Sequence, residues 1–146
     1  MTVLGRVFQL LALVALLAAA PAFAQKPSNL PAPEKRAIQT VIDAQIKAFR
    51  SDDGERAFGY ASPHIRGIFR TADNFMAMVR NGYQPVYRPR SVRCGDLVED
   101  EGTLVQKVFV TAPDGSEVLA LYVMERQGDG TWLVNGCMLA QPDDEV

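Results

Sequence analysis

Residues 103–140 read TLVQKVFVTAPDGSEVLALYVMERQGDGTWLVNGCMLA, and this stretch decides the fold. Three runs rich in β-branched and aromatic residues, at 103–111, 117–126 and 131–140, are separated by Asp114-Gly115 and by Gly128-Asp129-Gly130. Those separators are hairpin-turn chemistry, and connections so short make consecutive strands antiparallel neighbours. The run Val118-Leu119-Ala120-Leu121-Tyr122-Val123-Met124 is apolar on both faces, which predicts a strand covered by helix on one side and by other residues on the second. An earlier extended segment, 86–98, is interrupted by Pro89 and leads through Asp100-Glu101-Gly102 into this array. The expectation is a four-stranded meander.

Upstream the period is helical. Ile38, Val41, Ile42, Ile46 and Phe49 form one stripe of a helix that ends near Arg50, and Gln45 falls on the same stripe. Ser51-Asp52-Asp53-Gly54 supplies a stop and a new cap before a short helix through Phe58 and Tyr60. Ser62-Pro63 is a cap followed by proline at the first helical position, and Thr71 caps a further helix that ends at Asn81-Gly82. Helices followed by a meander make an α+β domain, placed at 34–141, with an acidic tail at 142–146. Three prolines make 25–33 an extended lead-in.

The first 24 residues predict export. One positive residue, Arg6, precedes an apolar run from Val7 to Ala20 broken only by Gln9, and Ala22-Phe23-Ala24 stands before Gln25. That is the charged start, apolar centre and small-x-small site of a signal peptide. Pro21 and the cleavage site arrive too early for a spanning helix, which needs about 20 apolar residues. The mature chain of about 122 residues fits one domain, periplasmic or secreted, with no membrane span. Loss of Arg6, with no acid lost, takes the formal charge from −2 to −3, so nucleic acid is not an expected partner. The local exception is basic: Arg66, Arg70, Arg80, Arg88, Arg90 and Arg93 lie against the single acid Asp73.

Spaced motifs carry a resemblance. They are Ala61-Ser62-Pro63-His64-Ile65-Arg66-Gly67-Ile68-Phe69, Phe75-Met76-Ala77-Met78-Val79-Arg80, Tyr83, Pro85-Val86-Tyr87-Arg88-Pro89-Arg90, Tyr122-Val123-Met124-Glu125-Arg126, Asp129-Gly130-Thr131-Trp132 and Gly136-Cys137. Across nearly all of the mature chain they resemble a family of small exported bacterial proteins, domain of unknown function 4864. The order of elements also resembles the cystatin-like cone of the nuclear-transport-factor-2-like group, in which a sheet curls around the first helix and encloses a pocket. The resemblance implies a fold and no activity.

No residue is assigned a catalytic or metal-binding role. His64 stands alone in the first turn of a helix with no carboxylate tied to it by spacing, and most Asp and Glu fall in caps and turns. The enzymatic alternative is an isomerase- or lyase-type reaction that uses His64 or a buried tyrosine. No metal or nucleotide motif is present, so no cofactor is implied. Gln45 and Asn135 are polar residues among apolar neighbours. Either they line a pocket with Tyr60, Tyr122 and Trp132, or each amide bonds the backbone and closes the core. The leading expectation is a non-catalytic domain that binds a small, partly apolar or anionic molecule, with Arg88 and Arg90 as anionic contacts. The third reading is an interaction module or homodimer that uses the sheet face of Val105, Lys107, Phe109 and Thr111. Cys94 and Cys137 fall on the first and last meander strands, about 14 Å apart at ~4.8 Å per spacing, which predicts free thiols.

Overall fold

Ile38, Ile42, Ile46 and Phe49 recur at helical spacing and all four are buried, so the helix they stripe is the piece on which the rest assembles. The computed structural model describes residues 25–144, and this helix, α1, runs Ala32–Arg50. The expected signal segment, residues 1–24, lies outside the described residues. Short helices follow: α2 Gly54–Gly59, α3 Pro63–Phe69, α4 Ala72–Gly82 and α5 Gln84–Tyr87. Three start on side-chain caps that the sequence predicts. Asp53 Oδ1 accepts from the Arg56 N–H at 3.1 Å, Ser62 Oγ from the Ile65 N–H at 3.2 Å, and Thr71 Oγ1 from the Asn74 N–H at 3.1 Å. Each bond satisfies a donor that the helix itself leaves orphaned.

The strands are β1 Lys26–Pro27, β2 Ser91–Asp100, β3 Thr103–Thr111, β4 Glu117–Arg126 and β5 Trp132–Ala140. They form one antiparallel sheet in the order β1-β2-β3-β4-β5. The domain is therefore α+β, as expected, but the sheet has five strands rather than four. The fifth comes from the lead-in: Lys26 and Pro27 pair with Glu99 and Val98, and the Ser28 N–H donates to the Leu97 carbonyl at 2.9 Å. A second correction concerns the start of the meander. Val86 belongs to α5, with its N–H on the Tyr83 carbonyl at 3.0 Å. Pro85, with φ already set for a first helical turn, favours the turn over the extended chain, and the strand begins only at Ser91. At the far end, Pro142–Asp144 form a 3₁₀ turn, on residues expected to be tail.

Two bulges set which residues face α1. Val123 pairs with Gly136 and Met124 with Val134, so Asn135 is an extra residue in β5. Inward side chains are therefore Trp132 and Val134 before the bulge, and Cys137 and Leu139 after it, opposite inward Tyr122 and Ala120. Strict alternation would have set Leu133, Asn135, Cys137 and Leu139 on one face, but a bulge reverses the phase. In β2 the register slips between Cys94 and Leu97. Gln106, fully buried, fills that gap: its Nε2 donates to the Gly95 carbonyl at 2.8 Å, with the Asp96 carbonyl at 3.3 Å and the Lys107 carbonyl at 3.0 Å.

The free edge of β5 is partly occupied. The Ser62 N–H donates to the Val134 carbonyl and the Val134 N–H to the Tyr60 carbonyl, both at 2.9 Å, which blunts an edge that would otherwise invite pairing. Val105, Lys107, Phe109 and Thr111 alternate with buried Gln106, Val108 and Val110 and form the sheet face turned away from α1. No helix among the described residues is long and apolar enough to cross a membrane.

Candidate ligand-binding cavity

The helices do not fill the space over β4 and β5. Between α1, α3, α4 and those strands lies a cavity of about 330 Å³. Gln45 and Phe49 reach it from α1, Phe75, Met78 and Val79 from α4, Tyr122 from β4, and Val134, Gly136 and Cys137 from β5. Its helical wall is aromatic: the Phe75 ring stands 6.1 Å from Phe49 and 5.8 Å from Phe69, measured between centroids, and 5.3 Å from Phe58, which does not line the cavity. Ile65, Ile68 and Phe69 of α3 close the outer side. No residue of α3 is buried, and Ile68 is 57% exposed, so the mouth lies beside this helix.

Few polar groups enter the cavity. Gln45 is buried and its Nε2 donates to the Ala57 carbonyl at 3.1 Å. Tyr83 Oη donates to the Cys137 carbonyl at 2.9 Å. Tyr122 is 1% exposed, and its hydroxyl meets the Cys137 thiol but no nitrogen or oxygen partner. Burial holds the Tyr122 hydroxyl well above the usual phenol range and pushes the Cys137 thiol up to about 12, so both stay protonated near neutral pH. No Asp, Glu, Lys, Arg or His lines the cavity. Such a lining can hold an apolar body and orient one polar atom. It offers no group with the pKa of a general base.

The sequence profile of the family described as Domain of unknown function (DUF4864) matches residues 31–146. The chain belongs to that family. No curated protein and no solved structure matches it.

Of the pocket residues expected from sequence, the DUF4864 domain brings Gln45 and Tyr122 together at the cavity. Tyr60, Trp132 and Asn135 are elsewhere. Asn135 Oδ1 accepts from Ser62 Oγ at 2.6 Å, Trp132 Nε1 donates to Glu34 Oε2 at 2.7 Å, and the Tyr60 carbonyl serves the β5 edge. His64 is exposed on α3 and does not line the cavity. Arg88 and Arg90 part company. Arg88 Nη1 donates to the Phe49 carbonyl, its Nη2 meets Asp52 Oδ2 at 2.7 Å, and its guanidinium lies 4.0 Å over the Tyr87 ring. Arg90 is exposed and borders a wider, open groove of about 940 Å³ with Lys47, Arg50, Asp43 and Asp53. That groove carries both signs of charge on exposed side chains, where single ion pairs contribute little.

The α4 wall and Tyr83 escaped the sequence reading, although Phe75, Met78 and Val79 share a face. That face reads as core, and a core stripe looks the same whether it meets side chains or space. Cys137 lies on β5, the last strand, as its place in the sequence predicts. Among the described residues no group of three or more His, Cys, Asp or Glu could hold a metal ion.

Proposed function

We propose that this domain is exported and holds a small, mainly apolar molecule in the cavity beneath α3, without transforming it. The observation that carries the reading is the cavity: about 330 Å³ of space walled by aromatic and aliphatic side chains and open beside Ile68. Water in an apolar cleft makes few hydrogen bonds, so an apolar molecule that displaces it is favoured. Its volume lies at the lower end of small-molecule sites. The order of helices and then sheet, with space left between them, is what a nuclear-transport-factor-2-like cone would have. The residues from Arg6 to Ala24 support export.

Native mass spectrometry of protein released gently from its own cell envelope tests this. The expected result is a chain that begins at Gln25 and carries a noncovalent excess of mass that organic extraction removes. A bare mass, together with a crystal structure whose cavity is filled by side chains, would overturn the binding reading.

A further inference from the structure

Tyr122 heads the fully buried side chains by volume, and its hydroxyl has no nitrogen or oxygen partner. Such atoms are rare, because an unmade bond leaves the loss of hydration uncompensated. The donors around it are already committed, Gln45 Nε2 to the Ala57 carbonyl and Tyr83 Oη to the Cys137 carbonyl. Its hydrogen-bonding neighbour is the Cys137 thiol, with Cys94 and the Asp43 charge acting on it only through space, and a thiol is a weak partner. The phenol proton is therefore held only by the Cys137 thiol, and Tyr122 and Cys137 both line the apolar cavity. The cavity walls carry no ionisable carboxylate, ammonium, guanidinium or imidazole, so an ionised ligand would give up its water with no counter-charge in return.

We propose, on the footing that the cavity is a ligand site, that its ligand is an uncharged, mainly apolar molecule. Its single hydrogen-bond acceptor, a ketone, ester or ether oxygen, accepts from Tyr122 Oη. The hydroxyl has no open surface, so the acceptor reaches it as the Cys137 side chain turns aside. Cys137 is then a gate, and Tyr122 selects for an acceptor.

Three probes of one shape separate these features: 2-acetylnaphthalene, a neutral ketone; 2-ethylnaphthalene, which lacks the acceptor; and 2-naphthoate, an anion. Each is titrated against the wild-type protein, Tyr122→Phe and Cys137→Ala. In the wild type the ketone binds about five to ten times more tightly than the hydrocarbon, the net worth of one hydrogen bond, and the naphthoate at least roughly a hundred times more weakly than the ketone. The carbonyl stretch of the bound ketone moves to lower frequency. Tyr122→Phe keeps the ring, erases the ketone preference and removes that spectral shift. Cys137→Ala keeps or widens the preference. Equal binding of ketone and hydrocarbon, a preference that survives Tyr122→Phe, or naphthoate as the tightest probe overturns the acceptor proposal while the cavity reading stands. If none of the three binds the wild type, both fall together.

Discussion

Trp132 Nε1 donates to Glu34 Oε2 at 2.7 Å, a bond between residues 98 positions apart that ties the first residue of β5 to the first turn of α1. Arg126 adds a looser contact, 3.8 Å from Glu34 Oε1 and 5.9 Å over the Trp132 ring. Trp132 is 5% exposed, so Glu34→Ala leaves its N–H buried without an acceptor, at a cost of about 1–2 kcal/mol. Glu34→Gln retains an acceptor and recovers most of the loss. Trp132 is the only tryptophan in the chain, so urea unfolding followed by its fluorescence reads the bond directly. Equal midpoints for wild type and Glu34→Ala would show that the bond contributes nothing.

Gln45→Leu removes one of the two donors to the Ala57 carbonyl between α1 and α2, which then keeps only the Tyr60 N–H at 3.2 Å. The expected loss is about 0.5–1.5 kcal/mol, the net worth of one hydrogen bond, seen as a lower denaturant midpoint with an unchanged slope. Of the two roles that the sequence left open for this amide, the hydrogen bond supports the structural one, although the side chain also borders the cavity. A Leu variant as stable as the wild type would return Gln45 to the pocket alone.

How far the sequence could be read depended on the range of each interaction. The α1 stripe, the three caps and the hairpin turns are local: Glu101 and Gly102 at φ 48° and 82° are what a two-residue hairpin turn demands. Long-range choices were hidden. Lys26–Pro27 is too short to show a strand pattern, and only pairing with β2 makes it one. The bulge at Asn135 reversed which β5 residues face inward, and nothing in a single sequence marks such an insertion. Gln106 lies within an alternating strand, and its role appears only once the β2 slip places the Gly95 and Asp96 carbonyls beside it.

Asp52 gives the cluster around Arg88 a pH dependence. Its carboxyl is held below the usual range, first by the Tyr87 hydroxyl that donates to it, then by the Arg88 and Arg80 guanidiniums. A lowered folded-state pKa means stability that is present above the unfolded value, near 4, and is lost as the pH falls through the lower folded value. Asp52 also has φ 52°, a conformation that asparagine tolerates. Asp52→Asn is therefore expected to be less stable at pH 7, with a deficit that narrows below about pH 4 and then closes. A deficit constant from neutral to strongly acid pH would mean that the carboxylate charge is not what holds the cluster.

Cys94 and Cys137 are both free, on β2 and β5 with β3 and β4 between them. Three spacings at ~4.8 Å put the backbones roughly 14 Å apart, twice the ~7 Å limit on a disulfide. Oxidising surroundings therefore do not join them. Their reactivity follows from burial, since the thiolate is the nucleophile. Burial pushes the Cys137 thiol up to about 12, so at pH 8 it stays protonated and unreactive. Burial and the nearby Asp43 charge raise Cys94 as well. Native protein at pH 8 is expected to react slowly with a thiol reagent at Cys94 and hardly at all at Cys137. The same protein unfolded without reductant yields two reactive groups, and occupation of the cavity slows Cys137 further in the native state. Unfolded, unreduced protein with no reactive thiol and a mass about 2 Da below the reduced form would reveal a bridge, which this strand order forbids.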